Sequence, residues 1–414
     1  MQSATIQKTA PGRRVTWLAF LLYGLFNFML TGLGAATERL RHDLGLSRGV
    51  VGLHAACLAA GLVLGGLAGH RLSRGAGRGA TAVVAAAGMA AGTALLAAGR
   101  APAVTLTGAL LMGAAGSLLL IVVPAFLADR FGAAAGGVLA RANAAASLCG
   151  AAAPFLVGAA VAAGLGWRAA LATGCAALLA AALAFWRSLR DRRPAAAGAP
   201  VRGDRPAVAA GSGERLPAAY WTWWAMLVLV VSVEFSFVFW TAEELRVTAG
   251  AGPAVAAAAV AVFELALAGG RVAGGALLRR VPGLTLLRAE LAVTVLGFAL
   301  FWSVRTLWAG LAGLAVAGLG VAMLYPVSLT GAIATAPGRS DLASGRSALG
   351  SGVAIGAAPF VLGWLADALG VHLAYLVVPL LCAGALGASA LAARRGTGRL
   401  VNTGPMTEMT GCDS

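Results

Sequence analysis

Charge is what this sequence has least of. Only 11% of its 414 residues are Asp, Glu, Lys or Arg, against about 25% in a soluble domain, too few to coat a water-exposed surface on a chain of this length. Acids are scarcest: 15 Asp and Glu stand against 31 Lys and Arg, and the only lysine is Lys8. The five cysteines, Cys57, Cys149, Cys175, Cys382 and Cys412, have no metal-ligand spacing and give no case for disulfides. Four of them lie in apolar runs, where a thiol packs as a small hydrophobe. The four histidines, His42, His54, His70 and His372, are scattered and suggest no metal site. There is no phosphate-cradling loop ending in Lys-Ser/Thr, no nucleophile elbow and no His-Glu zinc pair. The sequence therefore points to no enzyme, no ATP-driven pump and no cofactor.

Apolar residues occupy the space that charge leaves, at 60% of the chain. They come in runs. Residues 15–37 and 103–128 carry no charge at all, and about 20 apolar residues suffice to cross the hydrocarbon core as a helix. A backbone in lipid must satisfy its own polar groups, so such runs imply helices. Twelve segments are expected: 15–37, 49–69, 80–98, 103–128, 141–163, 169–186, 220–241, 253–278, 289–302, 307–333, 344–365 and 371–393. The ninth is short, with Arg288 and Glu290 placed to snorkel from its start. The 58 glycines suit helices that approach closely in a membrane. Lys8, Arg13 and Arg14 before the first run mimic a secretory signal, but the run is too long and is expected to be retained as the first span.

The basic residues orient the spans. With the N-terminus in the cytoplasm, 24 of the 31 basic residues fall on the cytoplasmic side and 7 outside, the bias expected of an inner-membrane protein with both termini inside. This accounts for the net charge of +16 without nucleic-acid binding. The expected organisation is a cytoplasmic N-terminus (1–14), a six-helix bundle (15–186), a Pro-, Ala- and Arg-rich linker (187–219), a second six-helix bundle (220–393) and a cytoplasmic tail (394–414).

The halves repeat. Arg141, Ala152-Ala153-Pro154-Phe155 and Gly158 recur 205 positions later as Arg346, Ala357-Ala358-Pro359-Phe360 and Gly363. Gly65, Gly69, Leu72 and Arg74 recur at the same spacing as Gly270, Gly274, Leu277 and Arg279, and Pro124 pairs with Pro326 at a spacing of 202. Segment 2 thus matches 8, 4 matches 10 and 5 matches 11, the order that two parallel six-helix repeats require.

Six plus six spans, a basic central linker and parallel repeats resemble the major facilitator superfamily. Between segments 2 and 3 the superfamily carries Gly-x-x-x-Asp-Arg-x-Gly-Arg-Arg; here Gly66 is followed by His70, Arg71, Leu72, Ser73 and Arg74, with His70 in the acid's place and Ser73 in a glycine's. Ala153-Pro154-Phe155-Leu156-Val157-Gly158 is similar to the Gly-Pro motif of the superfamily's antiporters, with two glycines replaced by Ala and Val. Gly166-Trp167-Arg168 and the stretches 233–240 and 318–326 resemble bacterial members. The resemblance covers residues 15–393. It implies a fold of two pseudo-symmetric bundles, with helices 1, 4, 7 and 10 lining a cavity, 2, 5, 8 and 11 sliding, and 3, 6, 9 and 12 facing lipid.

An acid inside a span is costly and marks an ion or substrate path. Glu234 and Glu264 are the proton-coupling candidates; Glu234 is placed past the midplane, and Glu264 lies seven residues before Arg271. Each could instead make a structural contact between helices. In the helices that the resemblance assigns to the cavity, Tyr23, Phe26, Asn27, Phe235, Phe239 and Tyr325 are the substrate-binding candidates, with packing as the plain alternative. Tyr325 precedes Pro326, which removes a backbone donor. Trp240 is expected in the interfacial belt, and Glu243 and Glu244 in water. Arg71, Arg74, Arg141, Arg271 and Arg346 are the gating candidates; Arg141 and Arg346 either anchor at the cytoplasmic face or meet acids such as Asp129 and Asp341. The expected function is proton-coupled efflux of a small, partly hydrophobic compound by a monomer in a bacterial inner membrane. Proton-coupled uptake of a metabolite and a non-transporting membrane sensor are the alternatives.

Overall fold

The computed structural model describes residues 13–131, 135–190, 216–278, 280–303, 305–336 and 339–398, without the side chains of 67–75 and a few others near 128–140 and 340–344. The first half forms α1 (Arg13–Leu44), α2 (Arg48–Ala76), α3 (Arg78–Ala98), α4 (Pro102–Phe131), α5 (Ala135–Ala162) and α6 (Trp167–Arg190). The second forms α7 (Ala218–Thr248), α8 (Pro253–Leu277), α9 (Gly283–Ser303), α10 (Leu307–Val321), α11 (Leu324–Ala334), α12 (Ser340–Leu369), α13 (Val371–Ala374) and α14 (Val377–Arg394). α10 with α11, and α13 with α14, each make one broken span, giving twelve spans of membrane length among the described residues. The protein is a multi-pass, all-helical membrane protein.

Local chemistry explains the helix ends. Pro253 opens α8 at a position whose N–H would have no helical partner. Gly370, at φ +81°, closes α12 in a conformation that a side chain disfavours.

Each half packs in the same way. α1 lies on α5 and α6, α2 on α4, and α3 on α4 and α6. In the second half α7 lies on α12 and α14, α8 on α10, and α9 on α10 and α14. The halves meet along two seams, α2 with α12 and α5 with α8, and α1 touches α7 between them. Small residues make these approaches possible. Across α2 and α4, a Cβ on Gly61 would strike the Leu110 carbonyl and one on Gly113 the Leu58 carbonyl. The 205-residue repeat appears at the seams: Gly158 packs on the start of α8, and Gly363 on the start of α2.

Several boundaries differ from those expected. α9 begins at Gly283, so Arg288 and Glu290 lie inside a helix and do not snorkel. Arg288 Nε donates to Ser389 Oγ on α14 at 3.0 Å, and Glu290 is 9% exposed; partners on neighbouring helices hold both side chains. α7 begins at Ala218, which puts Glu234 at its middle. Most of the N-terminus (1–14), linker (187–219) and tail (394–414) falls outside the described residues.

Candidate functional site

Two constellations stand out, one between the bundles at mid-span and one at the end opposite the start of α1.

At mid-span, Arg271 on α8 is the centre. Its Nη2 reaches Glu234 Oε1 on α7 at 3.3 Å, its Nη1 donates to Ser147 Oγ on α5 at 2.7 Å, and its Nε donates to the Ala322 carbonyl at 3.3 Å. One guanidinium therefore touches an acid in its own bundle and a hydroxyl in the other. Arg suits this role because its donors form a fixed fork and its charge persists. Glu264, 3% exposed, lies close to both Glu234 and Arg271. Tyr23 of α1 lies near Arg271 and Tyr325. Tyr325 of α11 lies beside Ser351 of α12 and near Glu234. Glu234, Glu264, Arg271, Tyr23 and Tyr325, singled out separately in the sequence, thus form one group. Ser147 and Ser351 complete it and gave no signal, since serines in Ala-rich helices are common.

The other candidates lie elsewhere. Asn27 Nδ2 donates to the Ala146 carbonyl at 2.9 Å, pinning α1 to α5. Phe26 points into the first bundle and lines a small apolar cavity of about 10 Å³ with Leu30, Leu58, Leu62, Met89 and Met112. Phe235 and Phe239 sit one turn apart on α7 with ring centroids at 6.4 Å, and the Phe239 carbonyl accepts from Thr37 of α1 at 3.0 Å. Arg141 is exposed. Arg346 stacks over Trp221 of its own bundle at 5.6 Å. The side chains of Arg71, Arg74, Asp129 and Asp341 lie outside the described residues.

At the far end the bundles are laced by ion pairs. Glu38 of α1 accepts from Arg246 of α7 at 2.5 Å. Glu243 of α7 accepts from Arg41 of α1 at 2.9 Å and from Arg48 of α2 at 2.8 Å. Asp367 of α12 accepts the N–H groups of Arg48 and Gly49 at 2.7 and 2.6 Å. It thereby caps, from the opposite bundle, the helix start where unpaired N–H groups and the dipole favour an anion. Glu243 and Glu244 are not in water, as their helix-end position suggests, but 2% and 0% exposed. Glu244 is held by His372 Nδ1 at 2.6 Å, and that imidazole stacks on Trp302 at 4.5 Å. Trp240 is likewise no belt residue: it is 2% exposed and donates to the Pro359 carbonyl at 2.9 Å.

Comparison with known proteins follows this geometry. The sequence model described as Major Facilitator Superfamily matches residues 16–305. Among solved structures, a bacterial homolog of the human lysosomal transporter Spinster is similar at TM-score 0.71 and 14% identity, covering 92% of this chain and 96% of that one. The nucleoside transporter NupG is similar at TM-score 0.68 and 13% identity, covering 92% and 98%. A D-xylose–proton symporter is similar at TM-score 0.67 and 16% identity, covering 90% and 95%. These likenesses extend over nearly the whole of each chain and concern the fold. No curated protein sequence matches.

Proposed function

The chain belongs to the major facilitator superfamily, a membrane transporter rather than an enzyme, and from that premise we propose that it couples proton movement to export of a small, partly hydrophobic organic compound by alternating access. The observation that carries this reading is the bridging role of Arg271, bound to Glu234 at 3.3 Å in one bundle and to Ser147 at 2.7 Å in the other.

A proton on Glu234 cancels the charge that Arg271 faces. The guanidinium, still charged, must then find another acceptor, and its contact with the other bundle changes with it. Glu264 is the nearby acid that can share or receive the proton. Tyr23 and Tyr325, on opposite bundles, are placed to meet a substrate that bears some polar character. The ion-paired far end is the gate that stays closed while the cluster is reached from the other side, and the two seams are where one bundle rocks against the other. Export rests on the resemblance of Ala153-Pro154 to an antiporter motif and on the aromatic, amide-poor character of the cavity helices. A bacterial inner membrane, cytoplasmic termini and a monomeric state complete the proposal, supported by the bias of basic residues toward one side.

The test is reconstitution in liposomes with a pH-sensitive dye inside and an imposed pH gradient, screened against candidate compounds. Substrate-dependent proton flux opposite in direction to the substrate, lost in Glu234→Gln, is the expected result. Flux in the same direction would replace export with uptake. Fully coupled transport in Glu234→Gln would remove that residue from the mechanism, and no flux with any compound would favour a membrane sensor.

A further inference from the structure

Span 10 breaks at one peptide unit, and ionisable side chains of two other helices hold both polar groups of that unit. Pro326 has no N–H, so the carbonyl four residues earlier, that of Ala322, lacks its helical donor. Arg271 Nε supplies one at 3.3 Å. On the other edge of the same peptide, the Met323 N–H donates to Glu290 Oε2 of α9 at 3.1 Å. Glu290 is 9% exposed. Glycines bring the flanking backbones within reach: Gly270 of α8 faces Ala322, Gly274 of α8 faces Met323, and Gly320 faces Thr294 of α9. The Ala322–Met323 peptide thus joins the guanidinium that binds Glu234 to an acid on a helix outside the central group. Tyr325 stands two residues beyond the break.

We propose that Glu290 is a positioning residue: by holding the Met323 N–H it fixes the break in span 10, so that rearrangement of the Glu234–Arg271 pair passes through the Ala322–Met323 peptide into α11 and Tyr325. This rests on the reading of that pair as the coupling site. A carboxylate at the start of α11 is favoured by the helix dipole. Replacing Glu290 with leucine would leave the Met323 N–H without its acceptor in a buried place, and an unsatisfied buried donor shifts a two-state equilibrium by roughly tenfold. Glutamine keeps an acceptor oxygen.

The experiment measures the bend directly and needs no substrate. Spin labels are placed at Trp308→Cys on α10, 79% exposed, and at Thr330→Cys on α11, also exposed, in the full chain with its native cysteines changed to alanine and held in lipid nanodiscs. The parent is expected to give one narrow distance distribution, Glu290→Gln to keep it, and Glu290→Leu to broaden or shift it; Glu290→Ala makes the same comparison if the leucine variant does not fold. Glu234→Gln should move the distance in the parent and not in Glu290→Leu. An unchanged distribution in Glu290→Leu, equal broadening in Glu290→Gln, or an equal effect of Glu234→Gln in both backgrounds overturns the proposal. Proton flux lost in Glu234→Gln with an unmoved span-10 distance would overturn the relay while sparing the coupling reading. A moved distance with intact coupled flux would do the reverse.

Discussion

Glu38 and Glu243 are the same residue of the two repeats, 205 positions apart, and each binds the arginine of the other's repeat. Glu38 takes Arg246, Glu243 takes Arg41, and those two arginines are also 205 apart. The far-end seal is therefore one Glu-x-x-Arg turn used twice, in reciprocal fashion.

Reversing one pair tests the seal. Glu38→Arg alone sets like charges together and should speed hydrogen–deuterium exchange across the far ends of α1, α2 and α7. Glu38→Arg with Arg246→Glu should restore most of the protection. Glu243→Gln should be worse than Glu38→Gln, because Glu243 serves both Arg41 and Arg48; each charge-assisted bond lost is expected to cost about 1.5–3 kcal/mol. Equal exchange in all variants would mean that the pairs do not hold the bundles together.

Asp367→Ala removes the acceptor of the first two N–H groups of α2 without touching α2 itself, and leaves the Ser47 cap in place. The expected loss is about 0.5–2 kcal/mol, seen as a lower melting temperature in detergent and faster exchange confined to the first turn of α2. The equivalent position in the second repeat, 205 residues after Arg48, is Pro253, which has no N–H to cap. Asp367 is thus the cap of one seam only.

The pairing of His372 with Glu244 should show itself as strongly destabilising when broken from one side. Glu244 is 0% exposed and, among the described residues, its second oxygen has no hydrogen-bond partner, so His372→Ala leaves a buried carboxyl group without a hydrogen bond, at about 1–3 kcal/mol. Adding Glu244→Gln should recover part of that loss. A melting temperature unchanged by His372→Ala would show that the carboxylate is satisfied without the imidazole.

Close packing of α2 on α4 predicts a contrast between glycines. Gly113→Val must push α4 away from the Leu58 carbonyl, at about 1–3 kcal/mol, whereas Gly66, with nothing among the described residues near the place of its missing Cβ, should accept alanine without loss. Thermal unfolding of the two variants in the same detergent decides it.

Much of the architecture was legible in the sequence because a bilayer imposes simple rules. Length and hydropathy find spans, and an Ala-Pro-Phe repeated at a fixed spacing finds two halves. The mid-span acids were legible because a carboxyl inside an apolar run is conspicuous. Their partners were harder. Arg271 stands out as a gating candidate, but only the fold brings it to Glu234 on α7 and Ser147 on α5. Glu243 and Glu244 sit at a helix end, where water is the usual neighbour; only the fold brings Arg41, Arg48 and His372 to them. The spacing signal for the seal was present in Glu38 and Glu243, yet a repeat does not by itself say that equivalent residues face one another. Glu290 was misplaced because the polar start of α9 hides how far that helix extends.

The reciprocal seal has an implication for how such a protein can arise. A single six-helix unit already carries both halves of the contact, an acid and a base one turn apart on its first helix. Two identical units facing each other would satisfy both pairs at once, as in a symmetric homodimer. Joining two copies in one chain thus required no new surface to close this end; later divergence could concentrate on the middle of the molecule, where Glu234, Glu264 and Arg271 all belong to the second copy.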